Sequence, residues 1–158
     1  MKVLLIVGSL VVVIAAVLLF AHSRVVPTHL VLASDAERVL EQVRGSTGDP
    51  TFAVFMFSTT DQPTSEEALN IQFSVENGKA GFDWVLLAPR NINDEALFIE
   101  FARQRGFTPV RHEMNNVKYL RVEAGDIAKL CSDVISEMYH IPASTKVELI
   151  TEGFEWQP

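Results

Sequence analysis

From Val3 to Ala21 the chain carries no charged side chain, and only Gly8 and Ser9 interrupt a run of Val, Leu, Ile, Ala and Phe. As a helix that run spans about 28 Å, close to the hydrocarbon thickness of a bilayer. It predicts a transmembrane anchor over residues 1–23, with residues 3–21 in the lipid. A cleavable signal peptide is the alternative: Ala21 and Ser23 are small residues at the two positions a signal peptidase inspects, and Lys2 supplies a basic start. The apolar run is longer than a normal signal core, which favours the anchor. Lys2 before the span and Arg24 after it nearly balance the positive-inside comparison. A short stub with the first Lys stays in the cytoplasm, so the expectation is a single-pass bacterial-type membrane protein with its folded part on the extracytoplasmic side. Residues 24–33 read as a juxtamembrane connector whose Val and Leu residues pack or pair.

Lys2 apart, every charged residue lies beyond Ala21, and there the acids outnumber the bases; the whole chain has a net charge of −7. A phosphate-binding surface needs clustered Lys and Arg, so nucleic acid is excluded as the main partner. Cys131 is the single cysteine, which rules out an intrachain disulfide and a multi-cysteine metal site. With 158 residues in all and 48% of them apolar, residues 34–158 read as one domain with a core of its own.

Within that domain, Ser34 and Glu37 have capping-box spacing, Ala36, Val39, Leu40 and Val43 recur at helical intervals, and Gly45 marks the stop. Phe52–Phe57 is too short for a stable helix and apolar on both alternating faces, which predicts a strand covered on both sides. Residues 58–67 form a polar loop. Leu69, Ile71, Phe73 and Val75 alternate with polar residues, and Asn77-Gly78 is a hairpin signal leading to a strand over 81–88. Asn93 is predicted to cap a helix with the stripe Leu97, Phe98, Phe101 and Ala102. Asn115-Asn116 marks a second hairpin, and Pro109 points to an edge strand. A third helix over 126–140 carries Ile127, Leu130, Cys131, Val134, Ile135 and Met138, and residues 146–151 form the last strand. The expected fold class is α+β: an N-terminal transmembrane helix, then a largely antiparallel sheet with helices packed on it, in the order α-βββ-α-ββ-α-β.

This succession resembles the small type III secretion chaperones and the chaperone-like domains related to them in fold. The resemblance covers residues 34–141 and rests on element order. It implies an acidic, often dimeric domain that binds extended segments of partner proteins and catalyses nothing; the acidic balance of this chain agrees with it.

The residues that could carry chemistry give little. Cys131 falls within an apolar stripe, where a thiol behaves as a small hydrophobe. His22, His29, His112 and His140 are scattered, so no metal site and no cofactor are expected. Glu66-Glu67 lie in a loop, and Asp94-Glu95 at a helix start, where acids stabilise whatever the function. Asp83, between Phe82 and Trp84, is expected at an edge or facing solvent; buried, it would need Arg90, Arg111 or Arg121 as a partner. The expectation is a membrane-anchored, non-catalytic protein-binding module or homodimer, with Phe55, Phe57, Trp84, Phe154 and Trp156 as the candidate contact patch. The alternatives are an immunity-type inhibitor with an acidic face and a small enzyme with a pocket around Asp83 and His112.

Overall fold

The computed structural model describes residues 28–60 and 66–158. Among these residues no helix is long and apolar enough to cross a membrane; the anchor expected over residues 3–21 lies outside them. The described chain is α+β, built on a seven-stranded antiparallel sheet. In chain order the elements are β1 (His29–Leu32), a 3-10 turn (Ala33–Asp35), α1 (Ala36–Gly45), β2 (Phe52–Phe57), β3 (Leu69–Glu76) and β4 (Lys79–Val85). There follow α2 (Pro89–Asn93), α3 (Glu95–Gln104), β5 (Val110–Met114), β6 (Val117–Val122), α4 (Ile127–Asp133) and β7 (Lys146–Glu152). In space the strands run β1-β7-β2-β3-β4-β6-β5.

Both predicted hairpins form, and for the stated reason. Asn77 and Gly78 have φ of 51° and 76°, Asn115 and Asn116 have 49° and 66°, and these side chains tolerate the left-handed region. Pro109 does precede an edge strand, since β5 ends the sheet. The strand order differs from expectation at the other edge. His29–Leu32, within the stretch predicted as connector, pairs with β7 in the register Leu30↔Glu148 and Val31↔Val147. The domain therefore starts before residue 34.

Helix starts also differ in detail. At α1 it is the Asp35 carboxylate, not Ser34, that accepts from a backbone amide, that of Leu32, at 2.9 Å. Pro89 sits in the first turn of the short α2, where its missing N–H costs nothing. The chain then turns at Asp94, so Asn93 closes α2 rather than capping α3. On α4 the Asp126 carboxylate does cap, accepting from Lys129 N at 2.9 Å. Beyond Asp133 the helix widens into a π turn over Val134–Met138, with Tyr139 N reaching back to Val134 O at 3.2 Å.

All the helices with buried stripes pack on one face of the sheet in a single core. Val39, Leu40 and Val43 of α1, Phe98 and Ala102 of α3, and Leu130, Cys131, Val134 and Ile135 meet Phe55, Ile71, Phe73, Phe82, Trp84 and Leu120. The Trp84 ring stacks on Phe98 at 4.7 Å between centroids, and its Nε1 donates to Asn91 O at 2.9 Å. Leu97, expected in the buried stripe of α3, is instead 52% exposed. The C-terminal tail folds back on α1: Trp156 is buried with Arg38 over its ring at 5.6 Å, and Gln42 exchanges hydrogen bonds with the Gln157 backbone.

The five residues expected as a contact patch belong to this core. Phe55, Phe57, Trp84 and Trp156 are buried in it and Phe154 is half-buried against it. The expectation failed because side-chain parity sends Phe55, Phe57 and Trp84 to the helix side, where four stretches of helix offer enough apolar surface to cover them.

Candidate functional site

The same parity that sends Phe55 and Phe73 toward the helices sends Phe52, Val54, Gln72, Ser74, Asp83 and Arg121 to the second face. No described helix packs there, yet all six are buried. At one end Phe52, Val54 and Ile150 form a small apolar cluster flanked by Met56. Toward the other, Val85, Val117 and Tyr119 form a second, flanked by Leu87 and Met114. Between them runs a buried polar seam.

The seam is built by register. The tight Asn77-Gly78 turn fixes Glu76 opposite Lys79, Ser74 opposite Gly81 and Gln72 opposite Asp83, and β6 sets Arg121 on the other side of Asp83. Arg121 lies flat across Gly81, whose missing side chain makes the room: a Cβ there would fall 2.4 Å from Arg121 Cζ. From that position Nη1 donates to Asp83 Oδ1 at 2.7 Å and to Ser74 Oγ at 2.9 Å, and Nη2 to Lys79 O at 3.0 Å. Nε donates outward to Glu123 at 2.8 Å. Ser74 Oγ donates to Asp83 Oδ2 at 2.5 Å, and Gln72 Nε2 donates to the same oxygen at 3.1 Å. Tyr119 Oη closes the network on Glu76 at 2.9 Å.

Both charges of the central pair are fully buried. Burial pushes the Asp83 carboxyl above its ordinary value, against the pull of Arg121 and the bonds from Ser74 and Gln72. Burial alone would lower the Arg121 guanidinium, but Asp83, Glu123 and Glu76 together push it above its ordinary value. At the rim, the bond from Arg121 holds Glu123 below the usual carboxylate range. Burial and the bond to Glu76 raise Tyr119 well above an ordinary phenol. One group is left over: Gln72 Oε1 is buried and accepts no hydrogen bond.

Asp83 is therefore not at an edge or facing solvent; of its three possible partners the structure selects Arg121, while Arg90 engages Asp94 at 2.6 Å and Arg111 engages Glu95 at 2.6 Å. His112 stands opposite Tyr119, two residues along β6 from Arg121, tilted against the Tyr119 ring at 5.4 Å. It lines an open cleft of about 490 Å3 with Arg121, Glu123 and Thr108, and Asp83 does not line that cleft. Asp83 and His112 thus do not converge. His140 ends its helix at φ 57°, exposed. Burial raises the Cys131 thiol far above its ordinary value. Among the described residues no cluster of His, Cys, Asp and Glu is placed to hold a metal ion. Asp94 is occupied by Arg90 and by Tyr139 Oη at 2.8 Å.

Apart from Asp83 and its partner Arg121, the seam escapes reading from the sequence: Gln72, Ser74 and Glu76 alternate with apolar residues and look solvent-facing. The available signal is the two-residue turn, which by itself aligns Gln72 with Asp83 and Ser74 with Gly81.

Fold and seam together define an α+β layer protein, with helices on one face of an antiparallel sheet and a buried ionic seam on the other. No protein-family model, curated protein or solved structure matches this chain.

Proposed function

We propose that the chain is a membrane-anchored, non-catalytic protein-binding module and that the exposed apolar side chains Ile92 and Leu97 belong to its contact surface. The observation that carries this reading is large apolar surface left open in the helix layer: Ile92 and Leu97 are each about half exposed. The occupant such side chains suit is an apolar segment of another protein. Residues 3–21 hold the module at the bilayer, with the domain on the extracytoplasmic side. The likeness in element order to chaperones that bind extended segments points the same way.

Photocrosslinking in native membranes tests this. A photoreactive residue replacing Leu97, half-exposed on α3, is expected to give a discrete protein adduct, and one replacing Glu41, exposed on the outer side of α1, to give none. Adducts from both positions alike, or from neither, refute the assigned surface. Carbonate extraction tests the anchor separately: recovery of the full chain in the aqueous fraction refutes it.

A further inference from the structure

The outer edge of β5 is one of the two ends of the sheet, and no described strand pairs with it. Its backbone is not closed off. Asn115 and Asn116 both have positive φ, the signature of a two-residue turn that makes Met114 and Val117 a hydrogen-bonded pair. By alternation His112, opposite Tyr119, and Val110, opposite Arg121, also spend both backbone groups on β6. Arg111 and Glu113 therefore point their N–H and C=O groups outward. Their side chains share the helix side of the sheet, and Arg111 is 64% exposed. Val110, on the other side, is 51% exposed, a large apolar residue at an unguarded edge.

We propose that a second copy of this chain occupies this edge, β5 against β5 in antiparallel register about a two-fold axis through His112. An antiparallel pair keeps the two faces of the joined sheet aligned only when residues of the same parity stand opposite one another. Registers centred on Arg111, His112 or Glu113 satisfy that. The first sets Arg111 against its own copy and the third sets Glu113 against its own, both like-charge contacts. The register centred on His112 sets Arg111 opposite Glu113 of the second copy, and Glu113 opposite Arg111, so each outward N–H meets an outward C=O. It also lays Val110 against Met114 of the second copy, covering the exposed valine. Arg111 keeps its bond to Glu95 and still has donors for Glu113, since a guanidinium carries five. The contact is isologous and closes at two copies, and Pro109 bounds it at one end. Its contacts lie along the β5 edge, away from Ile92 and Leu97, and it stands whether or not the proposed function does.

Disulfide trapping on the full-length chain in detergent tests it. His112→Cys places the new thiol on the axis, facing its own copy across a close, non-hydrogen-bonded pair, while buried Cys131 stays silent. Mild oxidation is expected to give a crosslinked dimer, and Val110→Cys, which faces Met114 of the second copy, to give far less. Adding Glu113→Arg or Arg111→Glu to His112→Cys abolishes the crosslink in either variant alone, and mixing the two restores it as a heterodimer, which also shows that both variants fold. A His112→Cys chain that stays monomeric, Val110→Cys crosslinking as well as His112→Cys, or a mixture no better than its components overturns the proposal.

Discussion

Replacing Arg121 by Met removes the cation from a pair whose two side chains are fully buried. The carboxylate of Asp83 keeps Ser74 and Gln72 but loses its counter-charge, and leaving one buried ion unpaired costs about 3–5 kcal/mol. For a chain of this length about 2–4 °C accompany each kcal/mol, so the midpoint of thermal unfolding falls by about 6–20 °C. Glu76 and Glu123 also lose a partner, but both reach solvent and add little. Combining Arg121→Met with Asp83→Val removes both charges and is expected to recover most of the loss, because a buried ion pair is close to neutral against an apolar pair of similar volume. Urea unfolding of the full-length chain in detergent, followed by Trp84 fluorescence, gives the cycle. If the two single losses add in the double variant to within about 0.5 kcal/mol, the charges are not coupled and the reasoning fails. The pH dependence has a definite sign. Burial raises Asp83, so its share of stability is complete below the ordinary carboxylate range and is lost as pH rises through the raised value. Arg121 is the main influence opposing that shift, so the deficit of Arg121→Met shrinks on acidification toward the carboxylate range and grows toward neutrality.

Gly81→Ala drives a Cβ to 2.4 Å from the pinned Arg121 guanidinium and is expected to cost about 1–3 kcal/mol in urea unfolding; Gly45→Ala, with open space around it, gains about 0.4–1 kcal/mol. Equal effects at the two glycines would refute the packing of Arg121. Cys131 is buried with its thiol pushed up, so iodoacetamide labels it only as fast as the chain unfolds, and rapid labelling of the native protein would contradict its placement. On α3, Phe98→Ala opens the core against Trp84 and costs about 3–5 kcal/mol, while Leu97→Ser next to it, half-exposed, stays within about 0.5 kcal/mol; a reversed order would place the wrong face of the helix inward.

Local signals gave way at the points where a distant partner decides. Asn-Gly and Asn-Asn turns are legible because the requirement for positive φ lies in the turn residues themselves, and the stripe of α4 because its period runs unbroken from Ile127 to Ile135. Strand β1 is too short for a period of its own and pairs with β7 near the other end of the chain. At the start of α3 the choice between Asn93 and Asp94 cannot be made locally: Asp94 is held by Arg90 one turn back and by Tyr139 from the end of the last helix.

The second face went unread for a different reason. A row of Asn70, Gln72, Ser74 and Glu76 has the alternation of a solvated face, while a row of Phe and Trp suggests surplus apolar surface. The structure reverses the two. Aromatic residues on strands joined by a tight hairpin share a face whenever the turn aligns them, as Ile71 with Trp84 and Phe73 with Phe82, and a face so uniformly apolar is the one the helices claim. The polar row is aligned by the same turn, placing a carboxylate between two hydrogen-bond donors and a glycine beside the serine. Hydrated residues have no need of such matching, since water satisfies them in any register. Matching position by position marks a buried seam that must satisfy itself, and it does so at every group but one, the acceptor Gln72 Oε1.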